Sequence, residues 1–312
     1  MRSLFSRLLY QLKYTLQRCI ASFLIIQNQA SIVELSQSNK RVYLEPVQPY
    51  KGTGSIEHYY HLIFDLILPL HRLLRRTNNT IFVLKDVGVL TEIIAQCLPK
   101  DRVEIVPVIN KAYPLVGMTP ERTYLNSSHI ESLNQCVCTN LQIASSGKCN
   151  RILLIERLPP ELYFTNAAAK KGSGASRRSI INHGELSNFL QAATKPGFRF
   201  SNLTLETMAI EEQVRYFSSA CIVFAQHGAG LANCIWMKPG TIIVELGWPN
   251  TSAYVILSQL KRCHYFSYLI KKHHITLDIE HFSDWISQNQ HLSKFFAQSR
   301  SWAMVPGNGS LK

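Results

Sequence analysis

Acidic residues are scarce in this chain, and the first 33 positions contain none. Against 20 Asp and Glu stand 33 Lys and Arg, a formal net charge of +13. Such an excess favours anionic partners: nucleotides, phospholipid headgroups or nucleic acid. No run of about 18 consecutive apolar residues occurs, so a bilayer-spanning helix is not expected. Eight cysteines occur without a Cys-x-x-Cys pair. Cys221 and Cys234 fall inside apolar runs, where a free thiol behaves as a small hydrophobe. His129, Cys136, Cys138 and Cys149 match no standard zinc spacing, so no metal centre is expected. Internal repeats and low-complexity tracts are missing. So is the interleaving of basic and aromatic residues that nucleic-acid binding would call for, and no nucleic-acid partner is expected.

What is present describes a folded chain. Its 312 residues are 46% hydrophobic and 17% charged, enough for two domains with sizeable cores. The cysteine usage suits a reducing, cytoplasmic setting. Arg2, Arg7, Lys13 and Arg18 interleave with Leu4, Leu8, Leu12 and Leu16, which recur every four residues. The apolar stretch Ile20–Ile26 is too short for a signal peptide. Residues 1–35 therefore read as a basic amphipathic segment. It is expected either to rest on the cytoplasmic membrane through residues 1–27 or to pack on the protein's own body.

From residue 36 the pattern alternates. "KRVYLEP", "TIFVLKD" and "RVEIVPV" read as strands, and "SIEHYYHLIFDLILPLHRLLRR" and "VLTEIIAQCL" as helices. The polar stretch 144–150 marks a boundary. Beyond it "RILLIER", "GFRFSN", "CIVFA" and "TIIVEL" are strands, separated by helical "NHGELSNFLQAAT", with Asn182 as its cap, and "ETMAIEEQVRYFSSA". Bare apolar strands between helices predict an α/β fold with parallel sheets covered on both faces. The expected division is 36–147 and 148–280, two Rossmann-like domains facing a central cleft. A helical tail, 281–312, is expected to fold back across the first of them.

The densest stretch is "CIVFAQHGAGLANCIWMKPGTIIVELG", Cys221 to Gly247. Gly228 and Gly230 stand where a buried strand hands over to a short helix, a corner that lets backbone N–H groups approach a phosphate. It is not a Rossmann fingerprint, because Asn233 occupies the third glycine position. Glu245 ends the next strand beside the same cleft, where a carboxylate could accept hydrogen bonds from two ribose hydroxyls.

This stretch, with "RRSIINHGELSNFL", "EEQVRYFSSA" and "GTGSIEHYYHLIFDLILPL", resembles family 61 glycosyltransferases over roughly residues 40–250. The resemblance implies a GT-B architecture and an inverting transferase using a nucleotide-sugar, a UDP-sugar in the family's known members. It implies no cofactor beyond that donor, and a glycan, lipid-linked glycan or protein hydroxyl as acceptor, for instance in surface polysaccharide biosynthesis. It also places His227, Gly228, Ala229, Gly230, Leu231 and Asn233 around the donor. The chain departs from the family by inserting "LPPELYFTNAAAKKGSGAS" ahead of Arg177.

Glycosyl transfer needs cations for the departing diphosphate and a base for the acceptor hydroxyl. Arg177 and Arg178 lead for the first role, with Arg157, Lys170 and Lys171 behind them. For the second, His58, His61 and Asp65 share one helical face. His61 is the expected base, Asp65 its orienter or substitute, and Glu57 the rival. Two other readings share parts of this pattern: a nicotinamide oxidoreductase, and a non-catalytic basic module associated with membranes.

Overall fold

The apolar runs of both halves become parallel strands, and the runs without alternation are the deepest. The computed structural model describes residues 2–48, 56–143, 147–159, 174–248 and 251–297. Lys170, Lys171, most of the insertion and the tail beyond residue 297 lie outside them, as do the side chains of Leu4 and Leu8.

In the first half, β1 (Arg41–Val47), β2 (Ile81–Lys85), β3 (Val103–Val106) and β4 (Tyr113–Val116) form a parallel sheet of order β3-β2-β1-β4. β4 has no counterpart among the expected strands. It is four residues long and contains Pro114, which an edge strand tolerates because one side needs no ladder donor. In the second half the strands are β5 (Arg151–Glu156), β6 (Ser179–Ile180), β7 (Arg199–Thr204), β8 (Ala220–Gln226), β9 (Ile242–Gly247), β10 (His264–Leu269) and β11 (His274–Ile275). Five of them make a parallel sheet of order β10-β9-β8-β5-β7, and β6 pairs with β11 alone. The mixed α/β architecture with parallel sheets is the one the alternation predicts.

Every residue of β8 and β9 is buried, as continuous apolar strands require when both faces are covered. The period of two divides them cleanly. Leu153, Ile155, Val223, Ala225 and Ile243 join a core continuous with the first sheet. Ile152, Leu154, Ile222, Phe224 and Val244 face the other way, into a second core. That second core corrects the expectation for the described part of the tail, residues 281–297. Helix Ile279–Gln288 packs on helix His183–Ala193, and Phe282, Ile286, Leu292, Phe295 and Phe296 complete the outer face of the second sheet. Asn182 also differs from expectation. It precedes its helix, but its side chain bonds Glu185 and the backbone of Leu277 instead of capping.

Residues Arg2–Ser38 form one helix. Its stretch Gln11–Ser38 contains an 18-residue window of mean hydropathy 1.2 and meets the length and composition of a membrane span, although no continuous apolar run announces it. Ala21, Ile25, Gln29 and Ile32 are its buried positions, and it contacts β1, β4 and helix Leu68–Leu74. The Leu12 and Leu16 stripe faces away from the body, so packing of that stripe on the protein is not what the fold uses.

The two halves are fastened below the cleft. Tyr59 Oη donates to Asn233 Oδ1 at 2.7 Å, and Trp236 Nε1 donates to the same oxygen at 3.0 Å and to Tyr59 Oη at 3.1 Å. Asn134 Nδ2 adds a bond to the Ile235 carbonyl at 3.1 Å.

Candidate active site

A cavity of about 530 Å³ opens between the two sheets, bounded by the start of the "YYH" helix on one side and by the carboxyl ends of β5 and β8 on the other. Parallel strands place their loops at one end, which is why both glycine-rich and arginine-bearing segments converge there.

The first wall is a helix of changing pitch. Tyr59–His61 is α-helical, Leu62–Ile67 is a π-turn, and Leu68–Leu74 returns to α. Pro69, at the start of the third segment, lacks the N–H that an uninterrupted α-ladder would use. A π-turn of this kind re-aims side chains locally. Asp65, buried within it, accepts from His61 Nδ1 at 2.7 Å and from Gln48 Nε2 at 2.9 Å, both at Oδ2. Arg122 Nη1 in turn donates to Gln48 Oε1 at 2.9 Å. With Nδ1–H committed to Asp65, His61 keeps the lone pair of Nε2 for the cleft, which it lines. Glu57 and His58 line the same wall. Gln48, Arg122 and the Glu121 carboxylate that accepts from Tyr60 Oη carry no sequence signal. They come from loops whose polar residues look like any others.

The second wall is cationic. Arg157 follows β5, Arg177 and Arg178 precede β6, and all three line the cavity. Arg178 is only 4% exposed, and among the described residues its one bond is from Nη1 to the His227 carbonyl, at 2.9 Å. Its Nε and Nη2 are buried without a partner among the described residues. Burial, then Arg177 and Arg157 beside it, lowers its pKa to about 10, so it stays charged at neutral pH. Burial lowers Arg157 as well, opposed by Glu206. Buried donors are nearly always paired, and a guanidinium with two such nitrogens in a cavity wall can receive an anion from solution.

The glycine loop lies between these arginines and β9. Gly228 is extended, with φ of 171°, so no left-handed turn demands it. A Cβ there would meet the Arg157 guanidinium carbon at 3.3 Å, and one at Gly230 would meet Leu205 Cδ1 at 2.9 Å. The glycines thus make room for neighbouring side chains, and Ala229 begins the short 3₁₀ helix Ala229–Trp236. Tyr254 Oη donates to the Gly228 carbonyl at 2.5 Å and holds the loop from the far side.

One sequence assignment needs correction here, and two others carry a structural role as well. Glu245 is 0% exposed: Oε1 meets His227 Nδ1 at 2.5 Å, and Oε2 accepts from Tyr265 Oη at 2.5 Å. With both oxygens engaged inside the sheet, the carboxylate cannot take ribose hydroxyls, and it orients His227 instead. Burial, reinforced by Glu245, pushes the Tyr265 hydroxyl well up, so it stays a donor. Asn233 is fully buried, its oxygen taken by Tyr59 and Trp236 and its Nδ2 donated to Gln213 Oε1 at 2.8 Å, so it ties the halves together. Leu231 belongs to the apolar core and, like Asn233, also lines the cavity. The cavity thus carries two histidine–carboxylate pairs on opposite walls, His61–Asp65 and His227–Glu245, with the arginines beside the second.

An α/β cleft with a cationic wall facing an oriented histidine offers positive charge to an anion and a lone pair to a proton. The family model Glycosyltransferase 61 matches residues 59–244, more than half of the chain and a span that contains His61, Asp65, the three arginines and the glycine loop. The chain belongs to glycosyltransferase family 61. No curated protein matches it.

Proposed function

We propose that this chain transfers a sugar from a nucleotide-sugar, a UDP-sugar, to a hydroxyl of a glycan, lipid-linked glycan or protein, with inversion at the anomeric carbon. The observation that carries the reading is Arg178, buried with two guanidinium nitrogens unpartnered, across the cleft from His61 oriented by Asp65. The acceptor oxygen attacks the anomeric carbon and its proton passes to His61 Nε2. The bond to the diphosphate breaks, and its electron pair leaves with the phosphate, whose charge Arg178, Arg157 and Arg177 meet. Charge supplied by three arginines is the basis for proposing that no divalent cation is needed.

The division of labour follows a GT-B arrangement: residues 36–147 on the acceptor side, residues 148–280 on the donor side. Eight free cysteines favour a reducing, cytoplasmic setting, and surface polysaccharide biosynthesis is the proposed context. Family membership supports a transferase over the oxidoreductase and non-catalytic readings.

Single-turnover assays with UDP-sugars on His61→Ala and Asp65→Asn test the assignment. Each should lower the chemical step by at least about 10²-fold, the usual scale of general-base catalysis, while UDP affinity stays within about twofold. Normal turnover in both variants would remove this pair from the mechanism.

A further inference from the structure

The N-terminal helix has two faces of opposite design. At about 100° per residue, Ala21, Ile25, Gln29 and Ile32 fall on one side, and all are buried against the first sheet and its helix. Leu12, Leu16 and Phe23 fall on the opposite side, 59%, 60% and 57% exposed, with Ile20 and Ile26 flanking them. Single exposed leucines are ordinary; a row of them along one helix marks a contact surface.

Charge selects the occupant. Residues 1–33 carry Arg2, Arg7, Lys13 and Arg18 and no acid. A helix with an apolar stripe in a purely cationic segment matches the boundary between acyl chains and anionic headgroups. Half-exposed Tyr124 and Tyr113 come from segments bonded to the same helix, and the Arg18 guanidinium lies 4.4 Å from the Tyr124 ring centroid. Tyrosines are favoured at that depth.

The helix is long enough to span a bilayer, but its other face is already committed. Tyr14 Oη donates to the Glu121 carbonyl, Arg18 Nη2 to the Thr123 carbonyl at 2.8 Å, and Asn28 both donates to the Pro114 carbonyl and accepts from Val116 N. Crossing would strip these bonds into lipid with nothing to replace them.

We propose that Arg2–Ser38 lies in the plane of an anionic lipid surface, seated by Leu12, Leu16, Ile20, Phe23 and Ile26. The fastened side then has a consequence for the cleft. Tyr14 and Arg18 hold the segment from which Glu121 and Arg122 line the acceptor wall, so the cleft's acceptor side stays close to the bilayer. An acceptor carried on a membrane lipid would be met there.

Flotation of the full chain with phosphatidylglycerol/phosphatidylcholine vesicles tests this, against phosphatidylcholine alone. The protein should float with the anionic vesicles, and the triple variant Leu12→Ser, Leu16→Ser, Phe23→Ser should lose at least about tenfold in partition, given the area withdrawn from lipid. Lys13→Glu should weaken binding and its salt dependence. Equal flotation of the triple variant, or equal partition into the zwitterionic vesicles, overturns the proposal. So does light scattering that shows a dimer which the triple variant converts to monomer, because the stripe would then be covered by a second copy. UDP affinity and melting temperature unchanged in the triple variant show that the fold survives. Because vesicle binding needs no turnover, failure of the transferase reading would leave this result standing.

Discussion

Gly117 and Asp65 share one small space: a Cβ at Gly117 would stand 2.2 Å from Asp65 Oδ1 and 2.7 Å from its Cγ. The glycine is therefore what allows the carboxylate to sit under His61. Gly117→Ala should push Asp65 off its bond with Nδ1 and lower kcat by about 10²-fold, the penalty of roughly an ångström of misplacement. UDP affinity, measured by calorimetry, should be unchanged, because the arginine wall is untouched. An unaltered kcat would mean that Asp65 does not position the base.

Arg178 offers a different signature. Its buried guanidinium keeps Nε and Nη2 without partners among the described residues, a desolvation cost that a bound anion would relieve. Arg178→Met should raise the melting temperature of the ligand-free protein by a few degrees, while UDP affinity falls by at least about tenfold, the worth of a charge-assisted bond. Calorimetry and thermal melts in parallel check both directions. A variant that is less stable and binds UDP normally would make Arg178 a structural residue.

Glu245 should report through stability. Glu245→Ala leaves His227 and Tyr265 without their shared carboxylate inside the sheet, a loss of about 3–5 kcal/mol. Tyr265→Phe orphans one oxygen and should cost about 1–3 kcal/mol. Urea unfolding measures both. A ribose ligand would behave oppositely, losing nucleotide affinity at constant stability.

Two histidines set an acid limit. Burial, with Arg75 nearby, lowers His71 to about 4, and burial, then Arg72 and Arg75, lowers His129 to about 4. Both stay neutral in the folded chain and take up a proton near 6.5 when it unfolds. The unfolded state then binds more protons between about pH 4 and 6.5. Stability from these groups is full above that window and is lost as the pH falls through it, up to about 3 kcal/mol each. His71→Gln and His129→Gln should flatten the pH dependence of urea midpoints between 4 and 6.5. A slope equal to that of the parent would show that these histidines are not responsible.

The parallel strands were legible because uninterrupted "CIVFA" and "TIIVEL" can only be buried on both faces, and the cleft followed from the glycines after β8. β4 was not, since "YPLV" is short and carries a proline. Helix Ser127–Asn140 was not either: its buried positions, Ile130, Leu133 and Val137, are few among polar neighbours. The fate of individual polar groups was hidden for a different reason. Glu245 ends a strand beside the cleft, and spacing alone does not say whether such a carboxylate meets solvent or lies under His227. Asn233 stands in a glycine's place within a phosphate-loop pattern, yet its partners, Tyr59 and Gln213, lie 174 and 20 residues away.

One small pairing has a consequence in time. Arg178 stands directly before β6, whose ladder partner is β11, with Ser179 Oγ and His274 Nδ1 2.9 Å apart across 95 residues of chain. Gln226, at the end of β8, ties both strands together by donating to the Ser179 and His273 carbonyls. At roughly 5–20 residues per second, translation delivers β11 on the order of ten seconds after β6. Until then the strand that follows the arginine lacks its ladder partner. A nascent chain can thus shape the wall that carries His61 long before the arginine wall is complete.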